Sequence, residues 1–142
     1  MDETRLCIFV VDDDESVTRA LKDLLESAGF RVETFGSARD FLGSDRSKGP
    51  GLLILDVYMP EMTGLELQEK LSASGSKTPV IFMTAHEDSR IRQATLETGA
   101  VAFLQKPFDD HVLFEAVNLA LDRIATNGID AYPQSAEIKN RC

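Results

Sequence analysis

Five short apolar runs, each followed by an amphipathic stretch, constrain this chain more than any other feature. They are Leu6 to Val11, Arg31 to Phe35, Leu52 to Leu55, Val80 to Met83 and Val101 to Leu104. Runs this short, rich in Val, Ile, Leu and Phe, read as strands rather than helices. Three are apolar almost throughout, as expected of central parallel strands covered on both faces. The run Arg31-Val32-Glu33-Thr34-Phe35 alternates instead and suits a sheet edge.

Between the first two runs, Val17, Ala20, Leu21, Leu24, Leu25 and Ala28 share one helical face, and Gly29 stands where a left-handed cap is wanted. Gly75 and Gly99 punctuate two further helices, over Leu65 to Leu71 and Ile91 to Thr98. A short helix is predicted over Ser37 to Leu42. Val112, Leu113, Ala116, Val117, Ala120, Leu121 and Ile124 mark a last one, with Asp109 and Asp110 at its positive end. Strand and helix thus alternate five times, and right-handed crossovers force a parallel sheet with helices on both faces. The expected fold is α/β, a flavodoxin-like (βα)5 doubly wound sandwich of strand order 2-1-3-4-5. Its ligand crevice lies beyond the carboxyl ends of the strands, where the first and third are neighbours.

A length of 142 residues suits one core. The domain is expected over 1–124, with 125–142 as a tail or linker. A formal charge of -9 argues against a direct nucleic-acid surface, because phosphate contacts need clustered Lys and Arg. Without an export signal or a long apolar run, neither export nor a membrane partner is expected, and the chain is placed in the cytoplasm. Cys7 reads as a packing thiol and Cys142 as an exposed tail thiol.

The first run leads directly into Asp12, Asp13 and Asp14, and the third ends at Asp56. Topology therefore brings Asp12, Asp13 and Asp56 to one crevice. Crowded carboxylates repel unless a cation is present, and an all-oxygen set selects a hard ion such as magnesium (Mg2+). Asp14, just before the first helix, reads as its N-cap. The fourth run leads to Thr84-Ala85 and the fifth to Gln105-Lys106-Pro107-Phe108. A hydroxyl and an ammonium opposite a carboxylate-bound cation make a site for a phosphoryl group, with Lys106 offsetting charge and Thr84 donating a hydrogen bond. For Pro107 a trans bond is the expectation from frequency alone, although a cis bond would fix how Lys106 enters the crevice.

In order, Asp12-Asp13, Asp56-Val57-Tyr58-Met59-Pro60 with Thr63-Gly64, Thr84-Ala85 and Lys106-Pro107-Phe108 resemble the receiver domains of bacterial two-component response regulators. The run Asp56 to Leu65, with Phe103 to Phe108 downstream, is most similar to receivers of the FixJ class of transcriptional regulators. The resemblance covers roughly 5–124. It implies that Asp56 is phosphorylated from a histidine kinase, a histidine phosphotransfer protein or a small phosphodonor, and that the chain catalyses only its own phosphorylation and dephosphorylation. Asp12 and Asp13 would hold magnesium beside Asp56, with the Tyr58 carbonyl completing the shell. Tyr58 and His86, where this chain departs from the pattern, would tune the lifetime of the phosphoryl group. Thr84 and Phe103 would form the switch that alters the face from about 88 to 124 and controls a homodimer or a docked partner.

Three other readings compete. A haloacid-dehalogenase-like phosphatase also uses a strand-end aspartate, but it needs a second aspartate two residues on, where Tyr58 stands. A flavodoxin-like cofactor binder needs a phosphate cradle after the first strand, which Asp12, Asp13 and Asp14 would repel. A pseudo-receiver would lack a catalytic position, and none is missing. The output is expected to be transcriptional regulation through a domain absent here, since Ala136 to Cys142 resembles the linker before a FixJ-class output domain. A stand-alone receiver acting on a partner protein is the alternative.

Overall fold

The structure is a computed structural model that describes residues 6–44, 51–86 and 88–127. The expected tail falls outside the described residues from 128 onward. In chain order the elements are β1 (Cys7–Val11), α1 (Glu15–Ser27), β2 (Arg31–Phe35), α2 (Ala38–Leu42), β3 (Gly51–Asp56), α3 (Gly64–Ala73), β4 (Val80–Thr84), α4 (Ser89–Glu97), β5 (Ala102–Gln105) and α5 (Asp110–Asn127). The sheet is five-stranded and parallel, in the order β2-β1-β3-β4-β5.

Residue chemistry explains this order. β1, β3 and β4 are buried at every position, so each needs helices on both faces. β2 carries Arg31, Glu33 and Thr34 among its apolar residues and lies at one edge. Ile8, Leu52, Leu53, Ile54, Leu55, Ile81 and Phe82 are fully excluded from solvent, and each side chain of this kind contributes about 1.5–3 kcal/mol when buried. Replacing Ile54 by Ala would leave a cavity in the middle strand and cost about 2–5 kcal/mol. Cys7 is buried in this core.

Local chemistry starts and stops the helices. Asp14 accepts the Ser16 N–H at 2.9 Å and caps α1, as its sequence position suggests. Thr63 and Glu66 form a capping box on α3, the Thr63 hydroxyl accepting the Glu66 N–H and the Glu66 carboxylate accepting the Thr63 N–H. Gly29, Gly75 and Gly99, expected at helix ends, all have positive φ. α5 continues to Asn127, past Ile124, the last apolar residue that marks it in the sequence.

Candidate functional site

The register of the sheet builds the site. β1 and β3 are neighbours, with Val11 opposite Leu55, so the residues following both strands emerge side by side. One carboxylate oxygen from each of Asp12, Asp13 and Asp56 lies within 4.8 Å of the other two. Their settings differ: Asp12 is 1 % exposed and Asp56 6 %, whereas Asp13 faces solvent. This acidic pocket, all oxygen and open on one side, is compatible with a divalent metal.

Asp12 can be buried because its N–H and both carboxylate oxygens are engaged. Its N–H donates to Phe35 O at 3.1 Å, one carboxylate oxygen accepts the Asp14 N–H at 2.9 Å, and the other accepts from Lys106 Nζ at 2.7 Å. Lys106 also stands 3.5 Å from Asp56 Oδ1, so one ammonium bridges two strand-end carboxylates. Although burial favours the neutral amine, the bond to Asp12 and the charges of Asp12 and Asp56 raise the Lys106 pKa on balance. The Asp56 pKa is raised as well, which for a carboxylate favours the neutral form. Burial and the charge of Asp12 push its pKa up to about 6, against the pull of Lys106.

Backbone bonds fix the frame around these groups. Lys106 N–H donates to Thr84 O at 2.7 Å and Val57 N–H to Met83 O at 2.9 Å, tying the loops after β5 and β3 to β4. The Lys106-Pro107 bond is cis, the less frequent of the two forms and not the trans one that frequency favours. Thr84 is fully buried, and its Oγ1 accepts the His86 N–H at 3.1 Å. Accepting one bond leaves the hydroxyl hydrogen for another acceptor. Tyr58 and His86 meet over the rim, ring centroids 4.9 Å apart and edge to face. Phe103 lies on β5, half-buried, with the Arg92 guanidinium over its ring.

Two contributors escaped the sequence reading. Gly64 N–H bonds Val57 O at 2.8 Å, and a side chain at Gly64 would collide with the carbonyl oxygen of Asp56, so α3 begins packed directly on the central aspartate. The Thr63-Gly64 motif hinted at this position but not at its contact. Arg92 had no signal at all, since its neighbour Phe103 is distant in sequence. On the α1 side the crevice opens into a cavity of about 410 Å³ bordered by Asp12, Asp13, Glu15, Lys22 and Thr34.

Residues 8–118 match the family described as the response regulator receiver domain. The chain is 40 % identical over 139 residues to the response regulator protein TmoT of Ectopseudomonas mendocina, covering 98 % of this chain and 63 % of that protein. It is 41 % identical over 123 residues to the transcriptional regulatory protein FixJ of Azorhizobium caulinodans, covering 87 % of this chain and 58 % of that one. A solved structure of the response regulator StyR superposes with a TM-score of 0.83 at 42 % identity, covering 93 % of this chain and 67 % of StyR. The chain thus spans less than two thirds of the length of these two curated relatives. With the sheet order, the strand-end aspartates and a match over residues 8–118, the chain belongs to the response regulator receiver domains of two-component systems.

Proposed function

We propose that Asp56 is the phosphoacceptor of a two-component phosphorelay, taking its phosphoryl group from a histidine kinase, a histidine phosphotransfer protein or a small acyl phosphate. The observation that carries this reading is the placement of Lys106 between Asp12 and Asp56 at the mouth of the three-carboxylate pocket. An ammonium held there faces the position that a transferring phosphoryl group would occupy.

An oxygen of ionised Asp56 attacks phosphorus in line, the bond from phosphorus to the donor breaks, and the donor leaves with that electron pair. An aspartyl phosphate results. Lys106 balances the added charge, and the Thr84 hydroxyl donates to a phosphoryl oxygen. Asp12, Asp13 and Asp56, with the Tyr58 carbonyl, are the groups that would hold magnesium. When bound, that ion supplies charge neutralisation for the anionic reactants. Tyr58 and His86 stand at the rim and govern the approach of water, hence the lifetime of the phosphoryl group. Thr84 and Phe103 carry the change to α4, β5 and α5, whose face then forms a homodimer or docks a partner. Because several relatives are named transcriptional regulators, the output is transcription control through a domain beyond the receiver, without direct nucleic-acid contact by this acidic segment.

Acetyl phosphate with magnesium is expected to add one phosphoryl group, seen by intact-mass spectrometry. Chelation or Asp56→Asn should abolish it. Undiminished labelling of the Asp56→Asn protein would refute the assignment.

A further inference from the structure

Phe103 is paired in register with Phe82 of β4, and its half-buried ring packs against the core. Above that ring stands Arg92 of α4, its guanidinium carbon 5.7 Å from the ring centroid. The backbone of Arg92 is fixed at both polar groups: its N–H donates to Asp88 O at 3.0 Å and its carbonyl accepts the Thr95 hydroxyl at 2.8 Å. Thr95, one turn further on, is fully buried. Both bonds lie within α4 and its cap, the helix packs against β5, and the Arg92 side chain reaches out over the ring. Among the described residues no carboxylate forms an ion pair with Arg92.

A cation over a phenylalanine face is attracted by the ring quadrupole. The attraction depends on the ring staying where it is. Resting on the proposed switch of Thr84 and Phe103, and taking it to work by the Phe103 ring turning inward as Thr84 is drawn to the phosphoryl group, we propose that Arg92 is a catch on this switch. It holds the ring in its half-exposed position, and the ring must leave the guanidinium to turn towards Thr84. Both halves of the switch are then restrained in the resting state, Thr84 through the His86 N–H on its hydroxyl oxygen and Phe103 through Arg92. Arg92 is a positioning residue: it touches neither the phosphoryl group nor a metal ligand.

The strength of such a contact at a partly exposed site corresponds to a factor of about two to five in an equilibrium. Removing the cation should raise the resting population of the turned ring by that factor, and the apparent affinity for an activating ligand should rise with it. The test follows phenylalanine ring-carbon NMR signals while beryllofluoride, a phosphoryl mimic, is titrated in the presence of magnesium. Wild type, Arg92→Met and Arg92→Lys are compared, with urea unfolding as a check on the fold. Met keeps the length and apolar stem of the side chain, and Lys restores the charge.

Arg92→Met is expected to lower the half-saturating concentration about two- to five-fold and Arg92→Lys to bring it back towards wild type. A Phe103 ring that moves with the same midpoint in wild type and Arg92→Met overturns the catch and leaves the switch standing. So does a midpoint that rises in Arg92→Met. A ring that does not move in wild type overturns both.

Discussion

Asp56 is buried, whereas the proposed chemistry needs it as an anion. Burial and the nearby charge of Asp12 raise its pKa to about 6 from the ordinary 3.8, despite Lys106. The folded state therefore holds this proton more tightly than the unfolded chain does. The resulting stabilisation is fully present below about pH 3.8 and is lost as pH rises through about 6. A shift of roughly two units corresponds to about 3 kcal/mol in full, and water at the open mouth of the crevice screens it to about 1–2 kcal/mol. In a chelator, Asp56→Asn should therefore be more stable than wild type by about 1–2 kcal/mol near pH 7.5, with the difference vanishing near pH 4. Urea denaturation at the two pH values checks this, and a variant no more stable than wild type near pH 7.5 contradicts it. At the rim, the edge-to-face contact of Tyr58 and His86 sets a second expectation. Replacing both by alanine should change the dephosphorylation rate about two- to ten-fold while sparing the uptake rate. Equal lifetimes would make the two rings a solvated rim with no part in the chemistry.

The loop from Asp56 to α3 shows how tightly one element can constrain the site. Met62 N–H donates to Pro60 O at 2.7 Å around Glu61, whose φ is 71°. Thr63 then caps α3, and Gly64 sits against the Asp56 carbonyl. Thr63→Ala should cost about 1 kcal/mol, through the cap alone. Gly64→Ala should cost about 1–3 kcal/mol and also slow phosphoryl uptake, because the added methyl displaces Asp56 itself. Thermal unfolding together with labelling rates separates the two, and unimpaired uptake in Gly64→Ala would contradict the coupling of α3 to the site. This contact marks the limit of what sequence pattern conveys. Periodicity records which face of an element is apolar, so β1, β3 and β4, the edge position of β2 and the meeting of Asp12, Asp13 and Asp56 were all legible. It does not record which atoms of two distant elements touch. The burial of Asp12 beside an exposed Asp13, the contact of Tyr58 with His86 and the stacking of Arg92 on Phe103 all depend on such meetings. Gly51 at the start of β3 is another such meeting, since a side chain there would strike the Phe9 ring and the Cys7 carbonyl.

Across the whole molecule, an acidic crevice at one end of the sheet stands beside a face built from α4, β5 and α5. That face exposes Leu96 and Leu119, 44 % and 55 % accessible, in a chain whose charge of -9 disfavours a nucleic-acid partner. Driving a two-state equilibrium from 1:99 to 99:1 takes about 5.5 kcal/mol of differential stabilisation, which charge-assisted contacts of a phosphoryl group with Thr84 and Lys106 can supply. Beryllofluoride should therefore shift NMR signals over roughly 88–124 and, by sedimentation, bring about a dimer unless the face serves a different protein. An unchanged face would refute the switch, and a changed face without a dimer would point to that other partner. Everything at this scale depends on the identity of the modified residue. The most direct test is to phosphorylate the protein with acetyl phosphate, reduce the acyl phosphate with borohydride to homoserine, and locate the homoserine by tandem mass spectrometry of peptides. Homoserine at position 56 alone is the predicted result, and homoserine at position 12 or 13 with an unmodified Asp56 would contradict the account.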